Sequence, residues 1–350
     1  MRKSIIFLFF IVFNLASLFA QDNVFTYSYL ERSLTKDDKN TKALHVDIDV
    51  LKLMLNSQII NIKLPLIDND FLDVTLERFS VLSENHNLII ETVDGQKTED
   101  YKSDFKSYTV LYKGESIGLL LFLENSVIVS YKYGNRQFEI NKVEDQFFLF
   151  DINDCLVDNT FSCEVEEKVT RIDINESRIE SSANTPKCLE LAIEIDQYTR
   201  NLYSSNTATT NWALAIMAGV SQVFDSEVNL QIQVVNTIIW QTTDPYASYV
   251  NQASSMLSAL RNHWNSNNSS ISRDLVHLMT RRTNTGTGGI AYRDVLCSNS
   301  WGYAFSANLN NNTNFNFPNP SYTWNLFVCS HEIGHNIEAH HTHWCGWPGG

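Results

Sequence analysis

The chain has 350 residues and a formal net charge of −14, from 40 acidic and 26 basic side chains, with 43% hydrophobic residues. That balance excludes the basic surface a nucleic acid would require, so no nucleic-acid partner is expected. The length predicts two domains.

Residues 1–20 stand outside the predicted fold. Arg2 and Lys3 precede an apolar run from Ile5 to Phe13, and small residues surround Ala20, the pattern of a secretory signal peptide cut after Ala20. The run is short for a membrane span, and no later stretch is long and apolar enough to cross a bilayer. The expectation is a secreted, extracellular protein with no stable membrane insertion after signal cleavage. Export permits disulfides. Cys155 and Cys163 precede residue 185, and Cys188, Cys297, Cys329 and Cys345 follow it, so each side could form its own disulfide set.

Charge divides the chain near residue 185. Residues 21–185 carry 30 acidic and 17 basic side chains, and residues 186–350 carry 10 and 7. Between them, Ser181-Ser182-Ala183-Asn184-Thr185-Pro186 is small, polar and ends in proline, as an exposed linker does. The first part is β-rich. His45–Val50, Ile59–Leu64, Ile117–Leu123, Val127–Tyr133 and Gln137–Ile140 have strand composition, and Gly134-Asn135 is a hairpin turn. It holds no catalytic constellation. It is either a β-sandwich-like module of unassigned use or a prodomain (residues 21–185) that folds against the second half and blocks it.

The second part alternates strand and helix. Leu189–Asp196 is a strand; Trp212, Ile216, Val220, Val223 and Phe224 repeat at helical spacing; Leu230–Trp240 is a strand again. Asp244-Pro245 opens a second helical pattern through Tyr249, Ala253, Met256, Leu257, Leu260 and Trp264, followed by a strand over 274–280. A glycine-rich turn at Gly286, Gly288 and Gly289 leads into Ile290-Ala291-Tyr292. This order is that of an α/β layer arrangement. The last helix is expected to start near Ser321 or Thr323, with Trp324, Phe327, Val328, His331 and His335 on its buried face.

Residues 331–343 read His-Glu-Ile-Gly-His-Asn-Ile-Glu-Ala-His-His-Thr-His. On a helix, His331 and His335 lie on one face and can bind one zinc ion, with Glu332 beside them to take a proton from a bound water. His341, six residues beyond His335, is spaced to return as a third nitrogen ligand. Such a set specifies hydrolysis of an acyl bond, most plausibly in a protein or peptide substrate.

The segment from His331 to His341 resembles the metzincin signature H-E-x-x-H-x-x-G-x-x-H, and its wording is similar to that of bacterial reprolysin-like (adamalysin-related, M12B-type) metallopeptidases. The likeness extends from about Cys188 to Cys345. It implies a metzincin-like α/β catalytic domain over residues 186–350: a twisted mixed sheet with helices and an active-site helix, preceded by the β-rich prodomain. It also implies that His331, His335 and His341 bind Zn2+ and that Glu332 is the general base. Gly289, Ile290, Ala291 and Tyr292 resemble the edge strand that pairs with an extended substrate.

Two departures stand out. The signature's glycine falls at Glu338, where a left-handed turn is needed at a cost of about 1–2 kcal/mol for a side chain. A shifted turn would instead present His340 or His343 to the metal, or Glu338 itself as a carboxylate ligand. Only nine residues follow His341, and all five methionines precede the motif, so the methionine-containing turn the likeness implies is missing and the domain is expected to be C-terminally incomplete.

Family prodomains often hold zinc through a cysteine, which makes Cys163 or Cys155 a candidate latency thiolate; a Cys155–Cys163 disulfide is the alternative. The reading is a secreted zinc metalloendopeptidase made as a zymogen. Its rivals are a non-catalytic binding protein with a degenerate fold, and a metal-sequestering or adhesion protein displaying His340, His341 and His343 as a surface cluster. Nothing in the sequence specifies an oligomeric state.

Overall fold

The computed structural model describes residues 23–28, 41–154, 163–166, 187–296, 298–311 and 321–341. The expected signal peptide, the linker, Cys155, Cys297, His343 and Cys345 lie outside the described residues. Among the described residues, no helix is long and apolar enough to cross a membrane.

The N-terminal part is built on one antiparallel sheet. Its order is β1 (Phe25–Tyr27), β2 (Thr41–Val46), β11 (Gln146–Asp151), β10 (Arg136–Val143), β9 (Ser126–Tyr133), β8 (Glu115–Leu123), β7 (Lys106–Tyr112), β4 (Phe71–Phe79) and β3 (Ile59–Pro65). The Tyr27 hydroxyl donates to the Asp70 carbonyl at 2.7 Å, bringing the first strand onto the turn after the last. The expected β-sandwich-like module is thus one nine-stranded antiparallel sheet curled around its own core. The run from His45 to Val50 is not one strand. The Asp47 carboxylate accepts from the Val50 N–H at 3.0 Å and caps α1 (Ile48–Met54), so the chain turns helical after Val46.

Strand β8 explains how the two parts join. Leu120 and Phe122 face the inside of the curled sheet, whereas Leu119, Leu121 and Leu123 face the core of the C-terminal part. A strand covered on both sides is an unbroken apolar run.

The second sheet runs β12 (Cys163–Glu166), β16 (Gly289–Tyr292), β17 (Tyr303–Ser306), β15 (Leu275–Met279), β13 (Lys187–Ile195), β14 (Leu230–Trp240), β5 (Leu82–Thr92) and β6 (Gly95–Glu99). Pairing is parallel except at β16–β17 and β5–β6. A short α2 (Gln197–Arg200) precedes α3 (Asn206–Val228), which is apolar nearly all round because it is covered nearly all round, by β14, by α5 (Ser321–Asn336) and by β8. Gly219 permits the α3–α5 approach: a Cβ there would lie 2.4 Å from the Tyr322 hydroxyl.

The second helical pattern starts later than its spacing suggests. Asp244 accepts from the Tyr246 N–H at 2.9 Å and from Arg282 at 3.1 Å, and Asn251 has φ of 52°, so α4 (Ala253–Asn267) begins only after Gln252. Glu194, fully buried in β13, accepts from the Tyr246 hydroxyl at 2.5 Å and from the indoles of Trp240 and Trp264, fastening α4 to the sheet. The thiols of Cys188 and Cys329 are free, so a fully paired set of four cysteines in the C-terminal part is not formed. Burial pushes the Cys329 thiol up to about 12.

His277 on β15 is completely buried beside Ser306, Nε2 to Oγ 2.9 Å, and burial pushes its pKa down to about 3. The unfolded chain therefore binds a proton near pH 6.5 that the folded chain refuses until about pH 3. Stability is expected to fall as pH drops from about 6.5 towards 3, and His277→Gln to flatten that slope in denaturant titrations run at several pH values.

Candidate metal centre

Helix α5 buries Tyr322, Asn325, Val328, Cys329, Glu332, Ile333 and Asn336. Phe327 was expected on that face, but it is 51% exposed, with its ring centroid 5.9 Å from that of His331. The stripe is rotated because polar residues claim the inner side. Asn325 exchanges two hydrogen bonds with the backbone of Asn310, at 2.7 and 2.9 Å. Asn336 donates to the carbonyls of Tyr292 and Tyr303, at 2.7 and 3.1 Å, pinning the helix end to β16 and β17. Apolar periodicity does not register such residues as buried.

The helix ends in a Schellman turn. The Glu338 N–H donates to the His335 carbonyl at 3.0 Å and the Ala339 N–H to the Gly334 carbonyl at 2.9 Å, with Glu338 at φ of 86°. Glu338 thus takes the left-handed position itself, exposed and outside the histidine cluster, and the turn does not shift. The Ala339 carbonyl also accepts from His335 Nδ1 at 2.7 Å. With its proton on Nδ1, His335 turns the lone pair of Nε2 inward. Replacing Glu338 by glycine is expected to add about 1 kcal/mol of stability by removing left-handed strain, raising Tm while leaving metal content unchanged.

The turn sends the chain back so that His341 meets the helix. His331 and His335 approach with Nε2 atoms 3.0 Å apart, and the His341 ring lies 5.3 Å from that of His331 and 4.7 Å from that of His335. His340 points elsewhere, its Nε2 3.0 Å from Arg293 Nη1.

The fourth member comes from the N-terminal part. Strand β12 lies parallel to β16, with Cys163 opposite Gly289 and Glu166 opposite Tyr292. Cys163 Sγ lies 3.5 Å from His335 Nε2, and ligand atoms of Cys163, His331, His335 and His341 all fall within 4.8 Å of one another. Gly289, Ile290, Ala291 and Tyr292 form β16, which lies between β17 and β12 in the sheet. No sequence signal marked this pairing, because the two strands stand more than a hundred residues apart and β12 is only four residues long.

Glu332 is buried beside this group, against Gly289 of β16. A Cβ on Gly289 would lie 2.3 Å from Glu332 Oε1, so any other residue at that position would displace the carboxyl group. Burial raises the Glu332 pKa well above the carboxylate range, partly offset by the neighbouring Cys163. Burial likewise lowers His331 to about 4, helped by His335 and His341, and lowers His335. Neutral imidazoles offer lone pairs, and three of them with a thiol fit a divalent metal ion. The buried carboxyl group beside them fits the same picture, because a buried acidic group calls for a polar or charged partner.

Residues 185–345 match the family model Reprolysin_5, metallo-peptidase family M12. Among solved structures, metalloproteinase-II from Bacteroides fragilis is similar at 15% identity and a TM-score of 0.46, over 84% of this chain and 84% of that one. No curated protein matches the chain.

Proposed function

We propose that the chain is the latent form of a secreted zinc metalloendopeptidase, with residues 186–350 as a metzincin-like catalytic domain and residues 21–185 as its prodomain. The observation that carries this reading is the meeting of three imidazoles and one thiol beside a buried glutamate. His331, His335 and His341 would hold the zinc, which supplies Lewis-acid polarisation of a peptide carbonyl and acidifies a water molecule.

The remaining roles belong to the chain. Glu332 accepts the proton of the attacking water on a carboxylate oxygen and returns it to the leaving amine. Gly289 keeps that carboxyl group close to the strand on which substrate would lie. The backbone of β16 would pair with an extended peptide, holding its scissile bond over the histidines. In the latent form β12 takes that edge, and Cys163 takes the position the attacking water needs.

One observation favours a second reading. Four protein ligands make a closed site, and closed zinc sites are commonly structural. A structural site, however, gives no role to a carboxyl group buried beside the ligands and closely packed against Gly289. Metal analysis and peptide cleavage test the proposal together. One zinc per chain is expected, lost in the double variant His331→Ala, His335→Ala, together with chelator-sensitive hydrolysis after removal of β12. A chain that stays metal-free in excess zinc would refute it.

A further inference from the structure

The N-terminal part does more for the C-terminal part than block it. Strands β5 and β6 extend the sheet of the C-terminal part, with β5 parallel to β14 from Asn87 opposite Asn236 to Glu91 opposite Trp240. Backbone bonds fasten both ends, Val234 N–H to the Val81 carbonyl at 2.7 Å and Gln241 N–H to the Glu91 carbonyl at 2.9 Å. Without β5, the eleven-residue β14 would be an open, apolar edge, which folded proteins avoid.

Side chains repeat the attachment. His86 Nε2 lies 2.9 Å from the Thr237 hydroxyl, and Asn206 donates to Glu99 at 2.7 Å. Tyr101 and Ser103 both donate to Asn211 Oδ1, at 2.5 and 2.7 Å. Leu119, Leu121, Leu123 and Ile128 share one continuous core with α3. Glu139 on β10, completely buried, accepts from the Thr323 hydroxyl at 2.8 Å in the first turn of α5. That contact fastens β10 to the start of the helix that carries His331 and Glu332. None of these contacts involves β12.

We infer that the N-terminal part is a resident subunit of the peptidase. When the chain is cut between β12 and β13, residues 41–154 stay bound without a covalent link, completing the β14 edge and capping α5. Control of the site then concerns β12 alone, and the rest of the prodomain is permanent structure. This rests on the zymogen reading only for the biological occurrence of the cut.

The test uses the full chain carrying Glu332→Gln, with a recognition site for a sequence-specific protease inserted after Arg178. Its outcome is therefore independent of peptidase activity. After complete cutting, the two fragments are expected to co-elute in native gel filtration and to separate only in denaturant. The Val234 and Gln241 amides are expected to keep their protection from hydrogen exchange. An N-terminal fragment eluting by itself, or loss of protection at both amides, would overturn the inference. Asn206→Ala is expected to lower the urea concentration at which the cut halves part; an unchanged midpoint would count against the interface.

Discussion

Glu332→Gln is expected to lower kcat for peptide hydrolysis by about 10²–10⁴-fold, the usual contribution of a positioned general base, while zinc content stays at one per chain. The amide fills nearly the same volume, so the packing against Gly289 survives and stability changes little. It cannot take a proton, so under the proposed mechanism the water would lose its base and the leaving amine its acid. The measurement is single-turnover cleavage of a fluorogenic peptide by material freed of β12, alongside metal analysis of the same sample. Equal rates for the variant and the wild-type chain would remove Glu332 from the chemistry. Loss of zinc in the variant would show that the carboxyl group supports the ligands instead of the water.

Cys163→Ala is expected to make the intact chain active without any cut. A structural zinc site is worth about 10–16 kcal/mol over four ligands, so one thiolate contributes roughly 3 kcal/mol. Removing it shifts the opening of β12 by about 10²-fold. Release stays incomplete, because the backbone pairing of β12 with β16 persists, and a peptide substrate must still compete for that edge. Cleavage by the uncut variant, with its integrity checked by mass spectrometry, reads the effect directly. If the variant instead loses its zinc and gains no activity, the four-ligand site is structural, and the rival binding-protein reading takes over.

Much of this centre is legible from the order of residues. The spacing of His331 and His335 puts both rings on one side of a helix whatever surrounds it. The position of Glu338 demands a left-handed turn, and the structure supplies one at φ of 86°. The alternation of strand and helix after residue 186 likewise reappears, because local periodicity registers each element's buried face. What local pattern misses is polar burial. Asn325, Glu332 and Asn336 turn inward and rotate α5, so Phe327 comes out beside His331 instead of into the core. It also misses caps, which is why the run after Asp47 became helix.

The sequence by itself determined which side chains can bind a metal ion and which can move a proton, since both depend on residue type and on spacing within one helical turn and its cap. Only the tertiary structure decided that Cys163 faces those histidines, that β12 covers the edge of β16, and that β5 and Glu139 complete the C-terminal part from outside it. These are contacts between segments far apart in the chain. They depend on which strand edges remain open after local structure has formed, and no short-range pattern encodes that choice.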